Sequence, residues 1–333
     1  MKQRYTAFLA AIALTYGSLR AQDPQLSQFY AAPLYLNPAL TGNTVQERAI
    51  LNYRTQWTGL PKGFDTYALS YDHRTENMHH GYGIMAMRDQ AGSHNLAFTH
   101  VAVNYAYEAP IDRHRSVRFG LKLGYTMRDY DPTNVLFADQ VIRDNAATSI
   151  ESSLIERTSY FDMGAGGMYY TEQFWIGTSL SHLNRPQQSL MNGGDARLPI
   201  RTSVHTGYRM PIDGKKMRRS SSFATLAAYY KAQGKWDQLD LGAYITHKDI
   251  TGGIWYRGLP GLKAYAPGYP NDDAIILLVG YETNKQLRIA YSYDVTISWL
   301  GTKSGGAHEI SITYEWPKRS PAKKFRAVPC PKF

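Results

Sequence analysis

Val117-Arg118-Phe119-Gly120-Leu121-Lys122-Leu123-Gly124-Tyr125-Thr126-Met127-Arg128 is the stretch that decides the fold. Every odd position is apolar and every even one is polar or Gly. A strand points successive side chains to opposite faces, so one face meets something oily and the other something polar. The pattern returns outward from this stretch in both directions. Val101, Val103, Tyr105 and Tyr107 alternate with His100, Ala102, Asn104 and Ala106, and Tyr67, Leu69 and Tyr71 with Ala68, Ser70 and Asp72. Leu287, Ile289, Tyr291, Tyr293, Val295 and Ile297 alternate with polar residues and Ala290, and Ile310, Ile312 and Tyr314 do so near the end.

About 14 such strips are read between turn-like breaks. They begin near Glu47, Asp65, Gly81, Ser93, Ser116, Tyr160, Phe174, Ile200, Ser222, Trp236, Ile250, Asp273, Leu287 and His308. The strip from Ala274 is apolar on both faces, and Phe223 to Tyr230 fits either phase. Long gaps at 131–159, 184–199, 258–272 and 299–307 fall on one side of the strips. Short gaps at 171–173, 248–249 and 283–286 fall on the other. Long loops at one end and short turns at the other organise outer-membrane barrels. Gaps at 73–80 and 211–221 are long for the short side, and those at 89–92 and 233–235 are short for the long side. A soluble β-sandwich would alternate too, but would not place a Tyr-rich apolar face opposite so few apolar residues. Trp57, Tyr107, Tyr130, Tyr169, Tyr170, Phe174, Trp175, Trp236, Trp255, Tyr256, Trp299 and Trp316 gather near strip ends, as in the aromatic girdles of membrane barrels. The predicted fold is all-β: a transmembrane antiparallel barrel over 47–316.

Composition agrees. The 333 residues include 26 Tyr, 11 Phe and 6 Trp, and only 19% are charged, against roughly 25% in soluble proteins. The longest apolar run after the N-terminus, Ala274 to Val279, is far short of the ~20 residues of a membrane helix. A single Cys excludes a disulfide framework, a Cys-based zinc site and an iron–sulfur cluster. Met1 to Ala21 reads as a secretory leader, with Lys2 and Arg4 ahead of the apolar stretch Ala7 to Leu14. Cleavage there leaves Gln22 as N-terminus, and no Cys lies near the cut.

No enzyme signature emerges. Ser181 and His182 are neighbours, which on a strand face opposite ways. His79 and His80, near His73, His94 and His100, lack a metal-ligand spacing. Asp129 and Asp131 share a loop edge and could bind a cation, but read more readily as a solvated acidic turn. Gly164-Ala165-Gly166-Gly167 has no phosphate-loop Lys; small residues in a strand let a bulky neighbour pack or the sheet bend. No cofactor and no metal are expected. The net charge of +10 could suggest nucleic acid, but export argues against it. Lys215, Lys216, Arg218 and Arg219 form a basic turn, and residues 317–333 a basic tail. Both read as membrane-flanking charge or as a docking surface for an acidic partner.

Arg118, Lys122, Arg128, His205, Arg209, Asp240, Arg288, Asp294 and Glu309 fall on the inward phase. About 14 strands enclose more than a filled eight-stranded barrel and less than a porin. These side chains, with Gln22–Gly42, are expected to occlude the lumen. Pro24, Pro33 and Pro38 keep that segment largely non-helical, as a plug in the lumen, along the periplasmic rim, or as a recognition element.

Gln22-Asp23-Pro24-Gln25-Leu26-Ser27-Gln28-Phe29-Tyr30, then Pro33-Leu34-Tyr35-Leu36-Asn37-Pro38-Ala39-Leu40-Thr41-Gly42, strongly resembles the start of the PorP/SprF family of type IX secretion outer-membrane proteins. Tyr53-Arg54-Thr55-Gln56-Trp57, Ser70-Tyr71-Asp72, Gly305 to Ile312 and the ending Pro329-Cys330-Pro331-Lys332-Phe333 fit that family in order. The resemblance implies a 14-stranded outer-membrane barrel without enzymatic activity. It implies partners of two kinds: the periplasmic PorK/PorN ring with peptidoglycan-binding PorE, or one large adhesin bearing a type B C-terminal domain. Gln22, Asp23, Pro24, Ser27, Gln28, Phe29, Tyr30, Asn37 and Pro38 are the candidate partner-binding residues. A solute channel and a barrel hydrolase using Ser181 are the rival readings.

Overall fold

The computed structural model describes residues 23–60, 63–77, 79–92, 96–130, 138–144, 149, 157–191, 193–217, 219–259, 272–283, 286–298 and 301–316. The leader, Gln22, His94, Asp131, Arg218, Trp299 and the tail with Cys330 and Phe333 lie outside the described residues.

Fourteen strands follow one another: β1 (Glu47–Gln56), β2 (Phe64–Arg74), β3 (His80–Ala91), β4 (Leu96–Pro110), β5 (Ser116–Asp129), β6 (Thr158–Tyr170) and β7 (Phe174–Ser181), then β8 (Arg201–Pro211), β9 (Ser222–Gln233), β10 (Trp236–His247), β11 (Ile250–Gly258), β12 (Asp272–Thr283), β13 (Leu287–Thr296) and β14 (Ala307–Glu315). Each pairs antiparallel with its sequence neighbour, and β1 closes on β14 from Arg48↔Glu315 to Gln56↔Ala307. Closure leaves no edge, which a sheet surrounded by hydrocarbon requires.

Burial follows the alternation. Along β5, Arg118, Gly120, Lys122, Gly124 and Thr126 are buried, while Leu121 is 62% exposed and Phe119 59%. Such a band around the whole barrel is stable only against lipid, since water would penalise it by about 25 cal/mol per Å². The ambiguous strips resolve. In β12, Ala274, Ile276 and Leu278 face inward and Leu277 and Val279 outward; in β9, Thr225, Ala227 and Tyr229 face inward.

Three of the girdle aromatics are placed differently. Trp175, Trp255 and Tyr170 are buried inside the barrel, not at a membrane boundary. They share the inward phase, and residues 23–44 give them an apolar partner. Ser181 and His182 also depart from the expected opposition. β7 ends at Ser181, and His182 takes φ 60°, so both side chains are buried.

The segment before β1 runs through the lumen. Short helical turns at Phe29–Ala31, Pro33–Leu36 and Pro38–Leu40 fold it compactly, with Pro33 and Pro38 opening two of them, where a missing N–H costs nothing. Asp23 lies beside Arg201 and Gln233, at the long-loop ends of β8 and β9. Gln46 lies at the short-turn end, where its carbonyl accepts from the Arg74 N–H. Between them the segment spans the barrel.

Candidate functional site in the plugged lumen

Four groups of contacts hold the segment, from the long-loop end downward. First, the Asp23 carboxylate meets His182 Nε2 and an Arg201 nitrogen, each at 2.8 Å. His182 Nδ1 faces Asp162 at 2.8 Å, and Lys122 reaches Asp162 at 3.3 Å. Burial opposes the Asp23 charge, but His182 and Arg201 outweigh it and hold this carboxyl well below its usual range. Burial likewise opposes charge on His182, and the two carboxylates outweigh it and raise its pKa. Arg201 also donates to Tyr35 Oη at 2.9 Å, whose O–H donates to the Pro24 carbonyl at 2.6 Å.

Second, Ser27 and Gln28 sit in a buried charge network. The Ser27 N–H and Gln28 N–H donate to the two Glu309 oxygens at 2.7 and 3.0 Å. Ser27 Oγ donates to Asp294 at 2.6 Å and accepts from Arg54 and Arg257 at 2.6 and 2.8 Å. Arg54 bridges Asp294 and Glu309 at 2.9 and 3.2 Å; Arg257 bridges Asp294 and Asp240 at 3.0 and 3.5 Å. Every one of these side chains is at most 4% exposed. The Gln28 carboxamide donates to Ser292 Oγ and the Glu309 carbonyl and accepts from Ser311.

Third, Phe29 and Tyr30 join an apolar cluster with Trp175, Tyr229, Trp255, Ile276 and Leu278. Phe29 stacks on Tyr229 with ring centroids 4.6 Å apart and meets Trp255 edge-on at 4.9 Å. Trp175 Nε1 donates to Tyr30 Oη at 3.3 Å. The lumen is therefore partly apolar where the segment crosses it.

Fourth, glycines let backbone approach backbone. Asn37 Oδ1 caps the Ala39 N–H at 2.9 Å, and its Nδ2 reaches the Thr178 carbonyl at 3.0 Å and His205 Nε2 at 3.1 Å. A Cβ on Gly166 would fall 2.0 Å from Asn37 Oδ1, and one on Gly120 2.2 Å from Ala39 N and Pro38 C. The Gly-Ala-Gly-Gly run of β6 thus makes room for Asn37. Arg118 donates to the Ala39 carbonyl at 2.8 Å and to the Thr41 carbonyl, and pairs with Glu108 at 3.2 Å. Asp72 accepts from the Gly42 N–H at 2.7 Å and forms a two-pronged pair with Arg48.

Gly120→Ala is expected to lift the Pro38–Ala39 turn and cost about 1–3 kcal/mol, the usual scale of overpacking. Hydrogen exchange at the Ala39 and Leu40 amides should rise; protection equal to the unsubstituted protein would contradict the fit.

Of the inward positions, Arg118, Lys122, His205, Asp240, Arg288, Asp294 and Glu309 are buried. Arg128 is half-buried and donates to Gln188 Oε1 at 2.7 Å; Arg209 is half-buried against the Phe223 ring at 3.9 Å. Of the candidate partner residues, Ser27, Gln28, Phe29, Tyr30 and Asn37 are held by the wall as described; Pro38 is buried. Asp23 and Pro24 are half-buried. Sequence reasoning missed Arg54, Arg74, Glu108, Asp162, Arg201 and Arg257. Arg54, Asp162, Arg201 and Arg257 share the inward phase of their own strips, whereas Arg74 falls in the 73–80 gap and Glu108 just beyond Tyr107, where β2 and β4 continue the alternation. Ser181 Oγ meets Arg201 at 3.4 Å, whereas both His182 nitrogens are taken by Asp23 and Asp162. His79 and His80 stack beside Tyr107 and Tyr105.

The profile of a family described as type IX secretion system membrane protein PorP/SprF matches residues 18–314. The chain belongs to the PorP/SprF family. Its Asp23–Gly42 segment and the tryptophan-lined lumen lie within the matched residues. No curated protein matches the sequence. Among solved structures, the chain is similar to the CymD monoaromatic hydrocarbon channel, with TM-score 0.46, 11% identity, and 87% of this chain and 94% of that chain covered. It is similar to the Ralstonia pickettii toluene transporter TbuX, with TM-score 0.48, 10% identity, and coverage of 85% and 92%. It is also similar to a Pseudomonas aeruginosa FadL homologue, with TM-score 0.44, 12% identity, and coverage of 91% and 96%. At these values the likeness is one of barrel architecture and carries no argument about transport.

Proposed function

We propose that this PorP/SprF-family barrel is a non-enzymatic, protein-binding part of the type IX secretion system. It resides in the outer membrane after export on its leader, with the short-turn end in the periplasm. Its partner is a large secreted adhesin with a type B C-terminal domain, or the periplasmic PorK/PorN ring linked through PorE. Through that partner it supports export or surface retention, and gliding. The observation that carries this reading is the filled lumen: residues 23–44 cross it on buried ion pairs and stacked aromatics, which suits a scaffold better than a diffusion path. Pro24 is half-buried and the Asp23 side chain is 10% exposed, so a partner meets this end of the segment first; Ser27 to Pro38 become reachable only on its release.

Disrupting the gene is expected to remove a large adhesin or protease from the cell surface while leaving permeability to small solutes intact. Surface proteomics alongside solute uptake checks this. Normal surface display with impaired uptake would overturn the proposal in favour of a channel.

A further inference from the structure

Two clefts open at the long-loop end, one on each side of Asp23–Gln25. One, of 320 Å³, is walled by Trp57, Phe64, Phe98, Arg128 and Tyr160; the other, of 310 Å³, by Trp57, Trp236, Lys231, Asp237, Asp272 and Asp273. Asp23 and Gln25 line both. These volumes fall in the range of sites that take a ligand, roughly 300–1,000 Å³.

Between the clefts lies a built carboxylate seat. Arg201 and His182 are 8% and 7% exposed at the side chain and converge on Asp23 from two elements. Gln233 Nε2 adds a third contact at 3.4 Å. Arg–carboxylate pairs and charge-assisted hydrogen bonds of this kind are among the strongest polar contacts a protein makes. What fills the seat is itself a short piece of chain outside helix and strand. Its next residue accepts from Tyr35 through the Pro24 carbonyl. Beyond it, Gln25, with its amide oxygen turned to the guanidinium, accepts from Arg257 at 2.8 Å.

The hold on the segment is graded. From Leu26 onward almost every residue is buried, whereas Asp23, Pro24 and Gln25 are half-buried. Asp23 and Pro24 can leave the seat without breaking a contact of the charge network at Ser27 or of the aromatic cluster at Phe29. The two clefts differ in charge. The Trp236 side carries Asp237, Asp272 and Asp273 against Lys231 and the seat's own Arg201, and is the more acidic of the two. The Phe98 side carries Arg128 against Asp89, with aromatic rings beside neutral polar groups such as Gln56 and Gln188.

We infer that this vestibule is a receptor for the acidic end of an extended polypeptide, and that Asp23 is a built-in competitor occupying its carboxylate seat. The incoming chain lays an apolar or aromatic side chain among Trp57, Phe64, Phe98 and Tyr160 and places its carboxylate on Arg201 and His182. The carboxylate is either a chain terminus or an acidic side chain. The inference rests on the protein-binding reading above and gives it a recognition chemistry.

A tethered competitor lowers apparent affinity by the fraction of time that the seat is free. The full chain in detergent micelles is titrated with an N-acetylated hexapeptide carrying one aromatic residue and ending in Asp, followed by fluorescence anisotropy. Asp23→Ala is expected to bind it about tenfold or more tightly than the unsubstituted chain, and adding Arg201→Gln is expected to abolish the gain. The amidated peptide separates the two sources: binding retained means the side-chain carboxylate, binding lost means the terminus. An amidated peptide ending in Asn should bind at least about tenfold more weakly to Asp23→Ala. That comparison holds even if Arg201→Gln fails to fold, as judged by heat-modifiable gel migration. Equal binding by the Asp and Asn peptides, no gain in Asp23→Ala, or acetate binding as well as the peptide would overturn the inference. A peptide that fails while gene disruption still strips the cell surface overturns the seat alone and leaves the secretion reading standing.

Discussion

Deleting residues 24–43 turns a silent barrel into a conducting one. In planar bilayers the unaltered protein is expected to show no discrete steps, because the segment fills the cross-section at three levels. At the first, Arg54, Arg257, Asp294 and Glu309 close around Ser27 and Gln28. At the second, Phe29 and Tyr30 meet Trp175, Tyr229 and Trp255. At the third, the Pro38–Ala39 turn lies against Gly120 and Gly166. The wall does not depend on the segment, since fourteen strands pair into a closed ladder without it. The deleted form should therefore still migrate as a folded barrel on a heat-modifiable gel. Its lumen, intermediate between eight-stranded and porin barrels, should pass ions in discrete openings. Openings of equal size with and without the segment would show that it does not close the path.

Arg54→Ala should destabilise the protein by about 3–5 kcal/mol, the usual result of removing one partner from a buried ion pair. Arg54 is 2% exposed and touches Asp294, Glu309 and Ser27 Oγ. Without it, Asp294 and Asp240 share the Arg257 guanidinium, and the Glu309 carboxylate is left to the Ser27 and Gln28 N–H groups. Truncation also withdraws a donor from Ser27, so the segment loosens along with the wall. Urea unfolding followed by tryptophan fluorescence measures the loss, and Arg54→Met separates lost packing from lost charge. A change within about 0.5 kcal/mol, typical of surface substitutions, would mean that water already solvates this network.

Much of the barrel could be read in the sequence because lipid on one face and a polar lumen on the other impose a period of two. Val117–Arg128 carries that period without a break and appears as β5 over Ser116–Asp129. The strip starts lie within a few residues of the strand starts, and the Ala274 strip looked ambiguous because Ile276 and Leu278 face an apolar patch inside the barrel. Trp175 and Trp255 misled for the same reason: a tryptophan near a strand end resembles a girdle residue unless something apolar is known to fill the lumen. What fills it was not legible. Ser27 meets Asp294 and Glu309 across separations of 267 and 282 residues, and alternation fixes a residue's face but not its opposite number. His182 escaped because the strand period stops one residue earlier, where φ turns positive.

The barrel is expected to work by holding another protein. The most direct measurement is quantitative mass spectrometry of what co-purifies with a tagged copy from gently solubilised outer membranes. The expected result is stoichiometric recovery of a secreted adhesin with a C-terminal secretion domain, or of periplasmic ring components with a peptidoglycan-binding protein. A barrel that comes down alone, at every detergent and salt condition that leaves it folded, would contradict it.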